Sequence, residues 1–130
     1  MAERRHADRD RRRDPRIPAV FAVREATANR VQLGQAEDIA LGGITIRHPK
    51  GVVLVPQSPV ALSFELPGSG EPIDAEGVVV SDRRVGSFRR TGVRFLVLRP
   101  EHEQAIAAFC RRAPKRPGVV GTNTPTPSNV

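Results

Sequence analysis

Two short stretches hold the side chains of this chain best suited to recognition chemistry. Arg11-Arg12-Arg13-Asp14-Pro15-Arg16 sets Arg12 and Arg16 four positions apart, just ahead of a strand-forming run. Asp38-Ile39-Ala40-Leu41-Gly42-Gly43 carries a carboxylate five positions before a glycine. A guanidinium is planar and always charged, and its fork of N–H donors matches a phosphate or the O6/N7 edge of guanine. A carboxylate can accept the ring N–H and amino group of the same base, and glycine lets a ligand or chain approach the backbone closely. Together these groups suit a flat anion that bears guanine.

Neither stretch is specific by itself. Arg5/Arg9 and Arg9/Arg13 repeat the arginine spacing within residues 1–16, a segment with seven arginines, four acids and no hydrophobic periodicity. Such a segment reads as a mobile, solvated arm. Arg12/Arg16 differs in having Pro15 before its second arginine and a strand after it. Pro15 biases Asp14 towards extended backbone. That fixes Arg16 at the mouth of the domain and leaves Arg12 on the arm. The Asp38 turn could likewise be an ordinary β-turn, its Asp capping its own backbone and its glycines taking positive φ.

The elements that must position these groups are mostly strands. A chain of 130 residues supports one domain, and five Phe with no Trp or Tyr imply an aliphatic core, which favours strands. Ala19, Phe21 and Val23 alternate on one face, and Thr27-Ala28-Asn29 form a turn. Val31 and Leu33 begin a second strand running towards Ile39; Gly42-Gly43 breaks it, and Ile44 and Ile46 open a third. His48-Pro49-Lys50-Gly51 reads as a turn before the short run Val52 to Val55. Val60, Leu62, Phe64 and Leu66 alternate most clearly, and Pro67-Gly68-Ser69-Gly70 is a loop. Ile73 to Ser81 and Thr91 to Leu98 read as strands joined through Arg83 to Arg90, with Gly86 at the turn. Pro100, early Glu101 and Glu103, and late Arg111 and Arg112 mark a closing helix with Ala105, Ile106, Phe109 and Cys110 as its apolar stripe. Many short antiparallel strands point to a small barrel or sandwich. The expected organisation is an arm over residues 1–10, a folded domain over 11–113 and a disordered tail over 114–130, rich in Pro, Gly, Thr, Ser and Asn.

Composition narrows the function classes. The formal net charge is +7, and of 21 basic residues only Lys50 and Lys115 are lysines. That bias fits anion recognition and fits coding bias equally well. A sequence-tolerant nucleic-acid binder could use the charge, but there is no Tyr or Trp for base stacking, and Asp8, Asp10 and Asp14 dilute the arm's field. The lone Cys110 excludes an internal disulfide and, on the apolar side of the helix, reads as a buried thiol compatible with a reducing cytosol. With no signal-peptide pattern and no run of transmembrane length, the chain reads as a cytoplasmic protein without membrane insertion. His6, His48 and His102 show no metal-site spacing and read as surface histidines. Asp74, Glu76 and Asp82 show no pairing for acid–base work and read as a solvated face, so an enzyme is disfavoured.

Taken together, Arg12/Arg16, the strand pair and Asp38-x-Ala40-x-x-Gly43 resemble the PilZ domain, a bacterial receptor module for cyclic di-GMP. Gly92-Val93-Arg94-Phe95 is similar to that family's late Gly-x-x-Phe strand, and the closing helix agrees. The resemblance spans about Arg11 to Arg112 and implies an all-β fold, a six-stranded antiparallel barrel with one C-terminal helix. It implies that Arg12 and Arg16 grip guanine or phosphate as the arm folds over the ligand. Asp38 would read a guanine edge and Gly43 would leave room for it; Arg11 and Arg13 are further candidates. The departure is Ala40, which stands where the family has serine, so one hydroxyl is missing. The implied function is a non-enzymatic cyclic di-GMP effector with no cofactor, acting on an unidentified protein partner in motility, exopolysaccharide synthesis or related control. The alternative is a degenerate PilZ adaptor that works by protein contact alone.

Overall fold

Alternation of aliphatic residues carries most of this chain into antiparallel strands, and the strands close on themselves. The computed structural model describes residues 16–49 and 51–112. Six strands, β1 (Ile17–Ala26), β2 (Val31–Ala40), β3 (Gly43–Pro49), β4 (Pro59–Glu65), β5 (Pro72–Val85) and β6 (Phe88–Leu98), precede one helix, α1 (Pro100–Arg112). They form a closed barrel in the order β1-β2-β3-β6-β5-β4, with every neighbouring pair antiparallel. The fold inferred from the resemblance is therefore the observed one.

The barrel is filled by Val23, Ile39, Ile44, Ile46, Leu62, Phe64, Ile73, Val79 and Val93 among others, all buried. Phe21 and Phe64 stack at a tilt with centroids 5.4 Å apart. Burial of this aliphatic area is what holds the strands together, at roughly 25 cal/mol per Å². α1 crosses one mouth of the barrel. Near its start, the His102 ring meets the backbone of Asp74 on β5; near its end, Cys110 Sγ approaches the Ile39 carbonyl on β2 at 3.9 Å. Ile106, Phe109 and Cys110 are buried by this docking, as the apolar stripe implied.

Four local readings change. His48 and Pro49 belong to β3 rather than to a turn, and Val52 to Val55 is a connection whose Leu54 alone is buried. The link between β5 and β6 is shorter than expected: the strands run on to Val85 and from Phe88, and only Gly86 (φ 60) and Ser87 make the turn. The charged residues Arg83 to Arg90 looked like a loop because nothing apolar alternates there. Val31 and Leu33, the apolar residues that open β2, face outwards and are exposed, while Gln32, Gly34 and Ala36 take the inward phase.

The inward space beside Gly34 explains that inversion. A Cβ built there would lie 2.5 Å from Ile46 Cγ2, 2.9 Å from Glu25 Oε2 and 3.0 Å from His48 Nε2. Glu25 and His48 are both fully enclosed, with His48 Nε2 2.5 Å from Glu25 Oε2. His48 is therefore no surface residue. Asp82 is also not solvated: its side chain is 2% exposed and accepts from Arg89, Thr91 Oγ1 and the Leu54 amide.

Candidate functional site

Those of the residues singled out in the sequence that are described converge on the outer face of β2 and β3, at the end where β1 begins. Strict alternation would have sent Asp38 inwards with Ala36. A bulge at Glu37 prevents this, because the pairing slips between Ala36↔Ile46 and Asp38↔Thr45. Glu37 and Asp38 then both face outwards and Ile39 returns to the core, a re-aiming typical of bulges near functional surfaces. A matching slip in β1 between Pro18 and Phe21 seats Pro18 opposite Asp38.

Arg16, immediately before β1, reaches over this surface. Its Nε donates to Asp38 Oδ1 at 3.1 Å and an Nη donates to Thr45 Oγ1 at 3.0 Å. The Arg16 side chain is 50% exposed and that of Asp38 28%, so this ion pair is water-screened and worth ~0–1 kcal/mol. What it supplies is orientation. Two acceptors hold the guanidinium in one plane and leave its remaining N–H donors free for an anion. Thr45 went unnoticed in the sequence; its in-register place beside Asp38 is the signal that would have found it.

The sheet continues outwards in rungs. Asp38, Thr45 and Gly92 share one, and Ala40, Gly43 and Arg94 share the next. Ala40 is 1% exposed, so its methyl is packed rather than open to solvent. Gly43 does not leave an open space: a Cβ there would come within 2.5 Å of the Val93 carbonyl oxygen. Its missing side chain lets the β6 backbone approach closely, the chain-approach role of glycine. Arg11, Arg12 and Arg13 lie outside the described residues. Of the sequence candidates, the structure thus brings together Arg16, Asp38, Ala40 and Gly43.

Hollows of about 390 Å³, between β1, β4 and β5, and about 330 Å³, around Arg47, Ser87 and Phe88, include none of these four residues. Among the described residues no three His, Cys, Asp or Glu side chains cluster to hold a metal. No helix among them is long and apolar enough to cross a membrane.

A family model described as the PilZ domain matches residues 10–112, most of the chain. The chain belongs to the PilZ domain family. Solved PilZ relatives share the fold at low identity. The PilZ domain of YcgR from Escherichia coli, solved with c-di-GMP, aligns at 21% identity with a TM-score of 0.63, covering 79% of this chain and 91% of that one. Bacillus subtilis MotI/DgrA, an inhibitor of motility, aligns at 22% identity and TM-score 0.71 over 78% of this chain and 50% of its own. The c-di-GMP complex of MrkH from K. pneumonia aligns at 18% identity and TM-score 0.61, over 76% of this chain and 50% of MrkH. The PilZ chain described here therefore spans about half the length of MotI/DgrA and of MrkH. No curated protein matches it. PilZ domains are binding and adaptor modules, not enzymes, and cyclic di-GMP is for them a ligand rather than a cofactor.

Proposed function

We propose that this PilZ domain is a cyclic di-GMP receptor that passes the bound state to a protein partner in the cytoplasm. The observation that carries the reading is Arg16 held over Asp38 and Thr45 on an open sheet face, with the family's remaining arginine position, Arg12, four residues upstream. Arg16 and Arg12 bind phosphate or the guanine O6/N7 edge, with Arg11 and Arg13 as further contacts; Asp38 accepts from the Watson–Crick edge. Arg12 lies on the arm preceding Arg16, so by family resemblance the arm folds over the bound ligand. That ordering is the conformational signal, because the ligand favours the arm-closed state by its differential contacts. MotI/DgrA is an inhibitor of motility, and the PilZ domain of CeSA from a cellulose synthesizing bacterium shares the fold at 21% identity and TM-score 0.56, which supports a partner in motility or exopolysaccharide control.

A second reading is favoured by Ala40 alone. Without the hydroxyl found at that position in the family, a site could lose the nucleotide and keep only protein contact. Loss of one neutral hydrogen bond weakens binding by ~0.5–1.5 kcal/mol, and loss of one to a phosphate by about 1.5–3. Arg16, Asp38 and Thr45 remain assembled, which supports the receptor over the adaptor. Calorimetric titration of cyclic di-GMP into the intact chain and into Arg12→Ala/Arg16→Ala decides between them. The receptor reading expects low-micromolar or tighter binding that the double substitution abolishes. No heat and no thermal stabilisation of the wild-type chain at high ligand would leave the adaptor reading.

A further inference from the structure

On the rung beside Asp38 and Thr45, Arg94 is opposite Gly43 on one side and Val78 on the other, so neither cross-strand neighbour carries a charge. The other arginines of the β5–β6 hairpin on β6 are matched: Arg89 with Asp82 and Arg90 with Glu37. Among the described residues Arg94 has no ion-pair partner. Its Nε is buried and makes no hydrogen bond. Nε is one tine of the side-on fork by which a guanidinium grips an oxyanion. A desolvated cationic N–H without an acceptor is costly to keep, and such orphans call for an explanation.

Geometry supplies one. Residues directly opposite in an antiparallel ladder project from the same face, so Arg94 shares the outer face with Ala40, Gly43, Thr45 and Asp38. Neither Gly43 beside it nor Gly92, two positions back along β6, carries a side chain. Arg94 and Thr45 are diagonal neighbours, about 7–8 Å apart at Cα. Arg16, anchored on Thr45, and Arg94 therefore bring two guanidinium groups to the same stretch of the outer face.

We infer that Arg94 is a phosphate-binding residue of this face, closing with Arg16 on one phosphodiester of the ligand. The inference rests on the receptor reading above and adds a residue from β6, outside both motifs. Its test is a calorimetric titration of cyclic di-GMP into four proteins: wild type, Arg94→Gln, Arg94→Lys and Arg83→Gln. Arg83→Gln removes the same charge from an exposed β5 position. Expected are at least tenfold weaker binding for Arg94→Gln, a smaller loss for Arg94→Lys, which keeps the charge but not the fork, and less than twofold for Arg83→Gln. The ligand-free melting temperature of Arg94→Gln should not fall, since an unsatisfied charge has been removed. If wild type binds and Arg94→Gln stays within twofold of it, or if Arg83→Gln weakens binding as much as Arg94→Gln does, the inference fails while the receptor stands. If Arg94→Gln does not fold, an Arg94→Lys protein binding as tightly as wild type overturns it. No binding by wild type overturns both.

Discussion

Inside the barrel, Gln32, Glu25, His48, Thr91, Asp82 and Arg89 form one continuous chain of hydrogen bonds; on the outer face, Arg16, Asp38 and Thr45 form a short, half-exposed one. The inner chain runs from β1 and β2 through β3 to β6 and β5, tying five strands together. Its donors and acceptors are almost fully assigned. Thr91 Oγ1 gives its proton to Asp82, so His48 Nδ1 must donate to Thr91, and His48 Nε2 meets Glu25 Oε2 on its other side. Gln32 Oε1 is its only buried atom without a partner. The outer set spends little on itself and keeps donors to spare. Polar groups that satisfy one another completely specify structure; groups left half-satisfied at a surface are available to a ligand.

Substitutions separate the two sets. The largest effect falls inside: His48→Ala leaves the enclosed Glu25 with only Gln32 as a partner and should lower unfolding free energy by about 3–5 kcal/mol, read as a denaturant midpoint. Asp38→Ala should do the reverse. Stability should change by less than ~1 kcal/mol, while cyclic di-GMP affinity falls by about 1.5–3 kcal/mol, roughly ten- to a hundredfold by calorimetry. Gly43→Ala tests the packing role of that glycine. Because the new methyl meets the Val93 carbonyl, β3 and β6 must part, and the melting temperature should drop with a loss of about 1–3 kcal/mol even without ligand. The smallest effect belongs to Thr45→Val, which removes one acceptor from Arg16: about two- to tenfold in affinity with an unchanged denaturant midpoint. Should Thr45→Val unfold the protein, or His48→Ala weaken binding without destabilising, the division between inner and outer sets would be wrong.

Much of the fold was legible because aliphatic alternation is local. β1, β3, β4 and α1 could be placed from Phe21 and Val23, Ile44 and Ile46, Val60 to Leu66, and the stripe at Ile106, Phe109 and Cys110. β5 and β6 were cut short because Arg83, Arg84, Arg89 and Arg90 carry no hydrophobic signal; Asp82 and Glu37, which match Arg89 and Arg90, lie 7 and 53 residues away. The inner polar chain was illegible for a similar reason, since Glu25 and His48 meet across 23 residues. Phase offered a clue: Glu25 continues the inward series of Phe21 and Val23, and His48 that of Ile44 and Ile46. At the site, residue types named Arg16 and Asp38. The bulge at Glu37 that turns Asp38 outwards, and the arrival of Thr45 and Arg94 beside it, depend on register, which no single strand's sequence carries.

Closure of the barrel has a consequence for how any partner can be recruited. β4 pairs with β1 as well as β5, so every one of the six strands has a neighbour on both sides. An open sheet can capture a visiting peptide by adding it as one more strand, through main-chain hydrogen bonds that are largely indifferent to sequence. Here, among the described residues, such an edge is confined to stretches paired on one side only, such as residues 17–22 of β1 and the far end of β5 beyond Val79. Over the rest of the wall, whatever docks must be read through side chains, and its selectivity will be written in residue identity rather than in backbone shape.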